Sequence, residues 1–444
     1  MLNKDNLIQY FSDGIKLKGS EKIGTEHEKF IYSKKDLSLI PFHGERSISA
    51  VLKKFIENSW DPIIEDEQIV GANKNQASIT LEPGGQFELS GAPLNNLHET
   101  CREINDHLSF TKSLEEEFDI GFLGIGYIPL GTFNDMPKVP KKRYQQIMTP
   151  YMEKIGGLGL EMMYQTCTVQ ANFDYLSEKD MAKKVNVSAA LQPIITGLFA
   201  NSPFKNGKPN GFLSYRSMIW ENTDKDRTGI LPAMLDNNFS FEEYTDYLLN
   251  VPTYFIERNG EYIDTTNFTF NELLNGNDKN IKPEEMTISD WEPHVSTIFT
   301  EVRLKTYIEM RGADAGSYES LCALPALWTG ILYDNETLDA ANDIIKSWNL
   351  EEILNFKTDC AKLGLETLLK NKSGWRIVEE ILEISMHGLE KRNKFNLSGE
   401  NETIFLRYLY NMLNKKEVMA SKVLKLFKEN WGSDFNKLYK ELSF

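Results

Sequence analysis

Apolar positions recur along this chain at two spacings. The helical spacing is clearest in "SISAVLKKFIENSW", which follows "PFHGER", and in "NNLHETCREINDHLSFTKSLEEEF", a long amphipathic helix starting near Asn95 or Asn96. "NLIQYFSDGIK" predicts a short helix that stops at Gly14, and "NVSAALQPIITGLFANSP" a buried helix whose first turn Pro193 disturbs. From Asn335 onward the pattern is helical almost throughout, in "NETLDAANDIIKSW", "GWRIVEEILEISMHGLEKR" and "VMASKVLKLFKENW". That tail is expected to form a helical layer supporting a mixed sheet built by residues 1–334, with 1–444 folding as a single unit.

The second spacing is two. A strand is expected over Ile23–Tyr32, and "DIGFLGIGYIPLG" reads as a strand running into a loop at its glycines and Pro129. In "GTEHEKFIY" alternation puts Glu26 and Glu28 on one face and His27 on the other. In "QFELSG" Gln86 and Glu88 share a face opposite Phe87 and Leu89. In "TVQANFDY" Thr168, Gln170, Asn172 and Asp174 oppose Val169, Ala171 and Phe173. In "EVRLKTYIEMRG", read as one strand, Glu301, Arg303, Lys305, Tyr307, Glu309 and Arg311 alternate with Val302, Leu304, Thr306, Ile308 and Met310.

A polar strand face ordinarily meets water. These four faces instead carry paired carboxylates, an amide and arginines, with glycines at their margins. A curved sheet holding them on its concave side would form a cleft that is acidic and cationic at once. Carboxylates such as Glu26, Glu28, Glu82 and Glu88 suit magnesium, and arginines suit carboxylate or phosphate oxygens. Together they point to phosphoryl transfer, with hydrolase and ligase chemistry both open. No GxSxG, HExxH or P-loop is present, and "GFLGIG" lacks the GxGxxG order. The segment "NGFLSYRSMIWENTDKDRTG", with Arg216, Trp220, Asp224, Lys225, Asp226 and Arg227, reads either as a solvated loop or as a substrate-covering one.

Composition narrows the setting. Of 444 residues 41% are hydrophobic, enough for a large core, so intrinsic disorder is excluded. The net charge of −16 argues against nucleic acid or anionic membrane as partners, while leaving room for a small phosphate ligand in a local basic cleft. Cys101, Cys167, Cys322 and Cys360 form no metal-ligand cluster and read as reduced thiols. With no apolar signal core in "MLNKDNLIQYFSDGIKLKG" and no membrane-length apolar run, the expectation is a cytoplasmic protein.

The ordered segments "GTEHEKF", "LEPGGQFELSGAPL", "GFLGIG", "MMYQTCTVQANFDY", "LQPIITGLFANSPF", "GKPNGFLS", "NTDKDRTG", "TIFTEVRLKTYIEMRGAD" and "LCALPALW" resemble the glutamate–cysteine ligases of the plant and proteobacterial type. The resemblance implies an α+β fold like that of glutamine synthetase, with a curved, mostly antiparallel sheet forming a funnel-like cleft backed by helices. It implies ATP-dependent joining of the glutamate γ-carboxylate to the cysteine amine through a γ-glutamyl phosphate, with Mg2+ (or Mn2+ in its place). Partners would be small-molecule substrates only, and the assembly a monomer or weak homodimer. A γ-glutamyl ligase using another amine, or an inactive metabolite-binding homologue, stands as the alternative. On the family pattern Glu26, Glu28, Glu82, Glu88, Gln170 and Glu309 resemble metal-shell residues, although a more distant branch has histidine at the position of Gln170. Arg216, Arg303 and Arg311 resemble grips for carboxylate or phosphate, Lys225 and Arg227 nucleotide phosphate contacts, and Tyr164 and Trp220 the amino-acid pocket. The chain departs from plant members at Thr265, where one of their regulatory cysteines lies. Control by that pair is therefore not expected, and Cys167 and Cys322 are expected to be buried and inert.

Overall fold

The computed structural model describes all 444 residues. Nine strands form one sheet: β1 (Ile23–Ser33), β2 (Asp61–Glu65), β3 (Gln68–Lys74), β4 (Ala77–Leu81), β5 (Phe87–Ser90), β6 (Ile120–Leu123), β7 (Thr168–Phe173), β8 (Val302–Leu304) and β9 (Ile308–Asp314). Their order is β8-β9-β7-β1-β5-β4-β3-β2, and β6 adds to the far end of β1. Every pairing in this sheet is antiparallel. The long β1 is the spine: its first half pairs with β7, its middle with β5 and its last residues with β6. The α+β architecture with a large antiparallel sheet is the one the sequence predicts.

One expected strand is in fact a hairpin. "EVRLKTYIEMRG" breaks at Lys305–Tyr307, so that Arg303 faces Glu309 across the β8–β9 turn. Partners in this register sum to an even number, so odd positions pair with odd positions, and Arg303 and Glu309 keep the common face that alternation predicts. A bulge between Met310 and Ala313 then shifts β9 against β7 at Arg311.

The predicted helices form at Lys4–Ser12, Ile48–Glu57 and Leu97–Phe118, the last capped by Asn96, whose side chain accepts from Glu99 N. The buried helix begins earlier than its apolar run suggests, at Glu178 behind an Ser177 cap, and continues through Pro193 to Leu198. Pro193 therefore lies near the C-terminal end, where burial on all sides holds a helix that has lost one backbone hydrogen bond.

The back of the sheet is apolar. Val169, Ala171 and Phe173 meet the helices Glu178–Leu198 and Tyr318–Leu332 in a core that runs from Leu7 to Ala420, joining the sheet region to the helical tail. Phe87, Leu89 and Ile79 pack under the helix Ile48–Glu57 in a second core. The chain end closes on β6, with Phe444 N donating to Phe122 O at 3.1 Å and Gly124 N to Leu442 O at 2.9 Å. No helix is long and apolar enough to cross a membrane.

All four cysteines are free and buried. Cys101 and Cys322 are not dispersed as their sequence distance suggests: helix Leu97–Phe118 lies against helix Tyr318–Leu332, and the Cys322 thiol is near enough to add to the burial that pushes the Cys101 thiol up. Thr265 is buried and receives a hydrogen bond from Thr253 Oγ1 at 2.7 Å.

Candidate active site

Alternation on β1, β5 and β7 sends one face of the sheet into a cavity of about 520 Å³. Register decides which side chains meet there. Glu28 stands opposite Glu88, which in turn stands opposite Thr80, and Glu26 stands opposite Gln170. His27, Lys29, Phe87 and Leu89 take the other face and are buried. Glu82 arrives from a tight turn instead of a strand: Gly85 N donates to Glu82 O at 2.9 Å and Glu82 N to Gln86 O at 3.1 Å. Gly85 sits at φ +75°, which favours glycine, and a Cβ at Gly84 would overlap the Tyr164 carbonyl. The Gln86 amide donates to Met163 O and Thr166 O at 3.1 and 2.9 Å, pinning this turn to the cavity floor.

The four carboxylates are held by neutral donors. Glu28 accepts from Thr168 N at 3.0 Å, Glu26 from Gln170 Nε2 at 3.1 Å and Asn172 Nδ2 at 2.8 Å, Glu88 from Thr80 Oγ1, and Glu82 from the Tyr144 hydroxyl at 3.5 Å. None forms a salt bridge; the cations at this site pair with Glu309 instead. Loss of hydration, then the charge of Glu82, pushes the Glu28 carboxyl up to about 8. Glu88 rises well above the usual range from the same loss of hydration, reinforced by Glu26, Glu82 and Glu28.

The facing wall is cationic and aromatic. Two guanidiniums lie near the Trp220 ring, Arg216 at 5.3 Å and Arg311 at 5.6 Å from its centroid. Arg216 donates to Arg311 O at 3.0 Å and Arg311 to Gln170 Oε1, yet the Nε of each is buried without a partner. Burial, then repulsion from Arg303, lowers Arg311 to about 10. Two buried guanidiniums with unfilled donors are prepared for an anion, since an unmade hydrogen bond here is costly. Arg303 donates from Nε to Glu309 and from Nη1 to Ser296 O and Ile298 O, so its place on the wall is fixed.

Nine expected site residues line this cavity: Glu26, Glu28, Glu82, Glu88, Gln170, Arg216, Trp220, Arg303 and Arg311. Four do not. Glu309 lies behind the wall, in reach of Arg303, Lys305 at 3.4 Å and Arg311 at 3.7 Å, and these three cations hold its carboxyl well below the usual range despite its burial. Tyr164 is buried, with Thr149 Oγ1 at 2.7 Å from its hydroxyl and its ring edge-on to Phe133. Lys225 is exposed outside the cavity. Arg227 is fully buried: its Nε donates to Asp224 at 2.7 Å, its Nη2 to Pro252 O at 2.7 Å, and its guanidinium lies 4.0 Å from the Tyr254 ring. The turn-like "NTDKDRTG" hides a buried ion pair because Asp224 and Arg227, three apart, fold into one turn.

Residues the sequence reading missed also line the cavity, chiefly Lys141, Arg143 and Tyr144. Lys141 Nζ donates to Leu81 O at 3.0 Å, and burial with repulsion from Arg143 lowers it to about 8. The signal was present as the basic run "KKRY", here opening a π-helical turn, Arg143–Met148, of the kind that often re-aims side chains at functional sites.

These residues fit a hard divalent cation in their chemistry: oxygen donors without positive partners, Glu88 buried and Glu26, Glu28 and Glu82 half-buried. The carboxylates are spread along the wall, and no three acidic, histidine or cysteine side chains converge on one point. Such a wall suits cations held by one or two carboxylates each, with substrate oxygens completing the shell.

Residues 22–415 match the model of glutamate–cysteine ligase family 2. The chain is 45% identical to glutamate–cysteine ligase A, chloroplastic, of Oryza sativa subsp. indica, over 100% of this chain and 88% of that protein. It is 47% identical to the chloroplastic glutamate–cysteine ligase of Medicago truncatula, over 100% and 85%. Among solved structures it resembles a glutamate–cysteine ligase from Francisella tularensis in complex with AMP, at a TM-score of 0.54 and 13% identity, covering 97% of this chain and 88% of that one. The cytoplasmic expectation is contradicted by the relatives: those from rice and Medicago are named chloroplastic. Reduced thiols report a redox state and carry no address of their own.

Proposed function

This chain belongs to glutamate–cysteine ligase family 2, and from that premise we propose how its cavity makes γ-glutamylcysteine, the first step of glutathione biosynthesis. The observation that carries the reading is one cavity with two opposed walls: four carboxylates without cationic partners, and arginines with unfilled donors. Glutamate enters with its α-carboxylate on Arg216 and Arg311 beside Trp220. Its γ-carboxylate then faces the acid wall and the phosphate end of ATP. Lys141 and Arg143, at the rim near Glu82, and Arg303 and Lys305, opposite, take the phosphate oxygens.

The γ-carboxylate oxygen attacks the terminal phosphorus, and the bond from that phosphorus to the β-phosphate oxygen breaks, giving γ-glutamyl phosphate and ADP. The cysteine amine next attacks the acyl carbon. The carbon–oxygen bond to phosphate breaks, inorganic phosphate leaves, and the amine gives up one proton. Glu26, Glu28, Glu82 and Glu88, with Gln170 beside them, would hold Mg2+, which supplies charge neutralisation for the transferring phosphoryl group. Arg303, preorganised by Glu309, stabilises negative charge as it moves onto leaving oxygens, while Gln170 holds Arg311 in place for the α-carboxylate.

The test is purified protein with glutamate, cysteine, ATP and Mg2+, followed for ADP and γ-glutamylcysteine. Formation of both in equal amounts is expected. ADP release that depends on glutamate and yields no γ-glutamylcysteine would refute the acceptor, and no ADP release would refute the reading as a whole.

A further inference from the structure

Behind the acid wall, on the opposite face of the sheet, lies a second cavity of about 400 Å³ between β3–β5 and the helices Ile48–Glu57 and Leu97–Phe118. The two cavities divide one strand by alternation: Glu88 faces the first and Leu89 the second. The volume lies in the range of small-molecule sites. Three rings wall it. Phe55 meets Phe110 edge-on at 4.7 Å and Trp60 at 5.5 Å, and only Trp60 and Phe110 are partly exposed.

Its floor is His107, which is 6% exposed. His107 Nε2 lies 2.9 Å from Lys29 Nζ, a donor in this contact as it is toward Phe87 O. Assigned from that contact, Nε2 accepts and the ring proton sits on Nδ1. Nδ1 is buried and has no partner, so an N–H of a residue lining the cavity lacks an acceptor.

The rim supplies the matching charges. Arg102 and Asp106 are exposed one helical turn apart, yet neither forms a salt bridge with the other or with any neighbour, although i,i+4 pairs ordinarily meet. Of the other acids on this helix face, Glu99 accepts from Asn95 N and Nδ2, and Glu103 accepts from Ala92 N through Oε1 while its Oε2 is buried without a partner. What remains free is an unpartnered His107 nitrogen, a cation in Arg102, an anion in Asp106 with the spare Glu103 oxygen beside it, and an aromatic box.

We propose that this cavity binds a small zwitterion with an apolar side chain, an α-amino acid of the aromatic or large aliphatic class. Its carboxylate meets Arg102 and the Nδ1–H of His107, its ammonium meets Asp106, and its side chain fills the space among Phe55, Trp60 and Phe110. Glutamate is disfavoured, because its second carboxylate would lose its hydration among the rings, where the cation at hand, Lys74 over the Trp60 ring, already donates to Asn58 O at 3.0 Å. The site is separate from the ligase cavity and stands or falls independently of the reaction assigned there.

Equilibrium dialysis of the full chain with labelled L-phenylalanine, with and without saturating L-glutamate, tests this. One site per chain, indifferent to glutamate, is expected. Arg102→Gln and His107→Phe should each weaken binding at least tenfold, and phenylacetate and phenethylamine, each lacking one charge, should bind at least tenfold more weakly than phenylalanine. Arg102→Gln, a surface change, should leave γ-glutamylcysteine synthesis unaltered. Displacement by glutamate, no saturable binding up to millimolar probe, or wild-type binding in Arg102→Gln would overturn the assignment.

Discussion

Glu28→Gln separates a cation-binding role from a structural one. In the ligand-free protein the Glu28 carboxyl is held up to about 8, by lost hydration and by Glu82. At pH 7 only about one chain in eleven has this group ionised, and a cation must displace the proton at a cost of about 1.4 kcal/mol. Apparent Mg2+ affinity should therefore rise about tenfold per pH unit for each proton displaced, and flatten above about pH 8. Glutamine keeps the size and an oxygen for the Thr168 N–H, 3.0 Å away in the wild type, and removes the charge. At pH 8.5 the variant should need roughly 10–100-fold more Mg2+ for half-maximal ADP release, on the scale of losing one ligating group, and its pH slope should fall by one proton. Its metal-free melting temperature should be unchanged or higher, because repulsion with Glu82 and Glu88 is relieved. The assay is ADP release against Mg2+ at several pH values, with thermal melts in chelator. Wild-type half-saturation and slope in the variant would refute the ligand role; lost activity with a lowered metal-free melting temperature would assign Glu28 to structure instead.

Other consequences follow from the same geometry. Folded Glu28 keeps a proton that an unfolded chain releases near 4.5, so metal-free stability should fall as pH rises from about 4.5 toward 8, and added Mg2+ should reverse the fall; melts across that window read it directly. Arg311→Lys cannot reproduce a planar guanidinium that contacts Gln170 and stacks on Trp220, so the KM for glutamate should rise at least tenfold with little change in melting temperature. Arg227→Met strands the buried Asp224 carboxylate and should cost about 3–5 kcal/mol in denaturant unfolding, whereas Lys225→Ala should leave both stability and the KM for ATP unchanged. Gly84→Ala places a methyl against the Tyr164 carbonyl; a loss of about 1–3 kcal/mol is expected on unfolding, together with a higher Mg2+ concentration for half-maximal ADP release as Glu82 is displaced.

How much of this was legible in the chain can be traced residue by residue. Glu26, Glu28 and Glu88 were assigned to one face by alternation alone, and the antiparallel registers bring them together as expected. Arg303 and Glu309 kept their common face even though the expected strand is a hairpin, because an even register preserves parity. The failures share a cause. Arg227, in a turn-like polar run, became a wholly buried cation, and Lys225 two positions away stayed in water. Nothing in a stretch of polar residues states which one finds a buried carboxylate. Lys141 and Arg143 were visible as charges, but their approach to Glu82 depends on where a π-helical turn docks against β4.

The sequence by itself determined periodicity: which positions are helical, which alternate, and which alternating faces carry acids, amides and arginines. Those are properties of a chain's immediate neighbours, set by a 3.6-residue turn and a two-residue pleat. Only the tertiary structure decided distances between segments far apart in the chain: Arg311 joining Arg216 at the Trp220 ring, Cys101 near Cys322, and a second cavity ending at His107. Such meetings depend on how layers pack and on which buried polar atoms are left without a partner. That is a sum over many weak contacts that no local pattern contains.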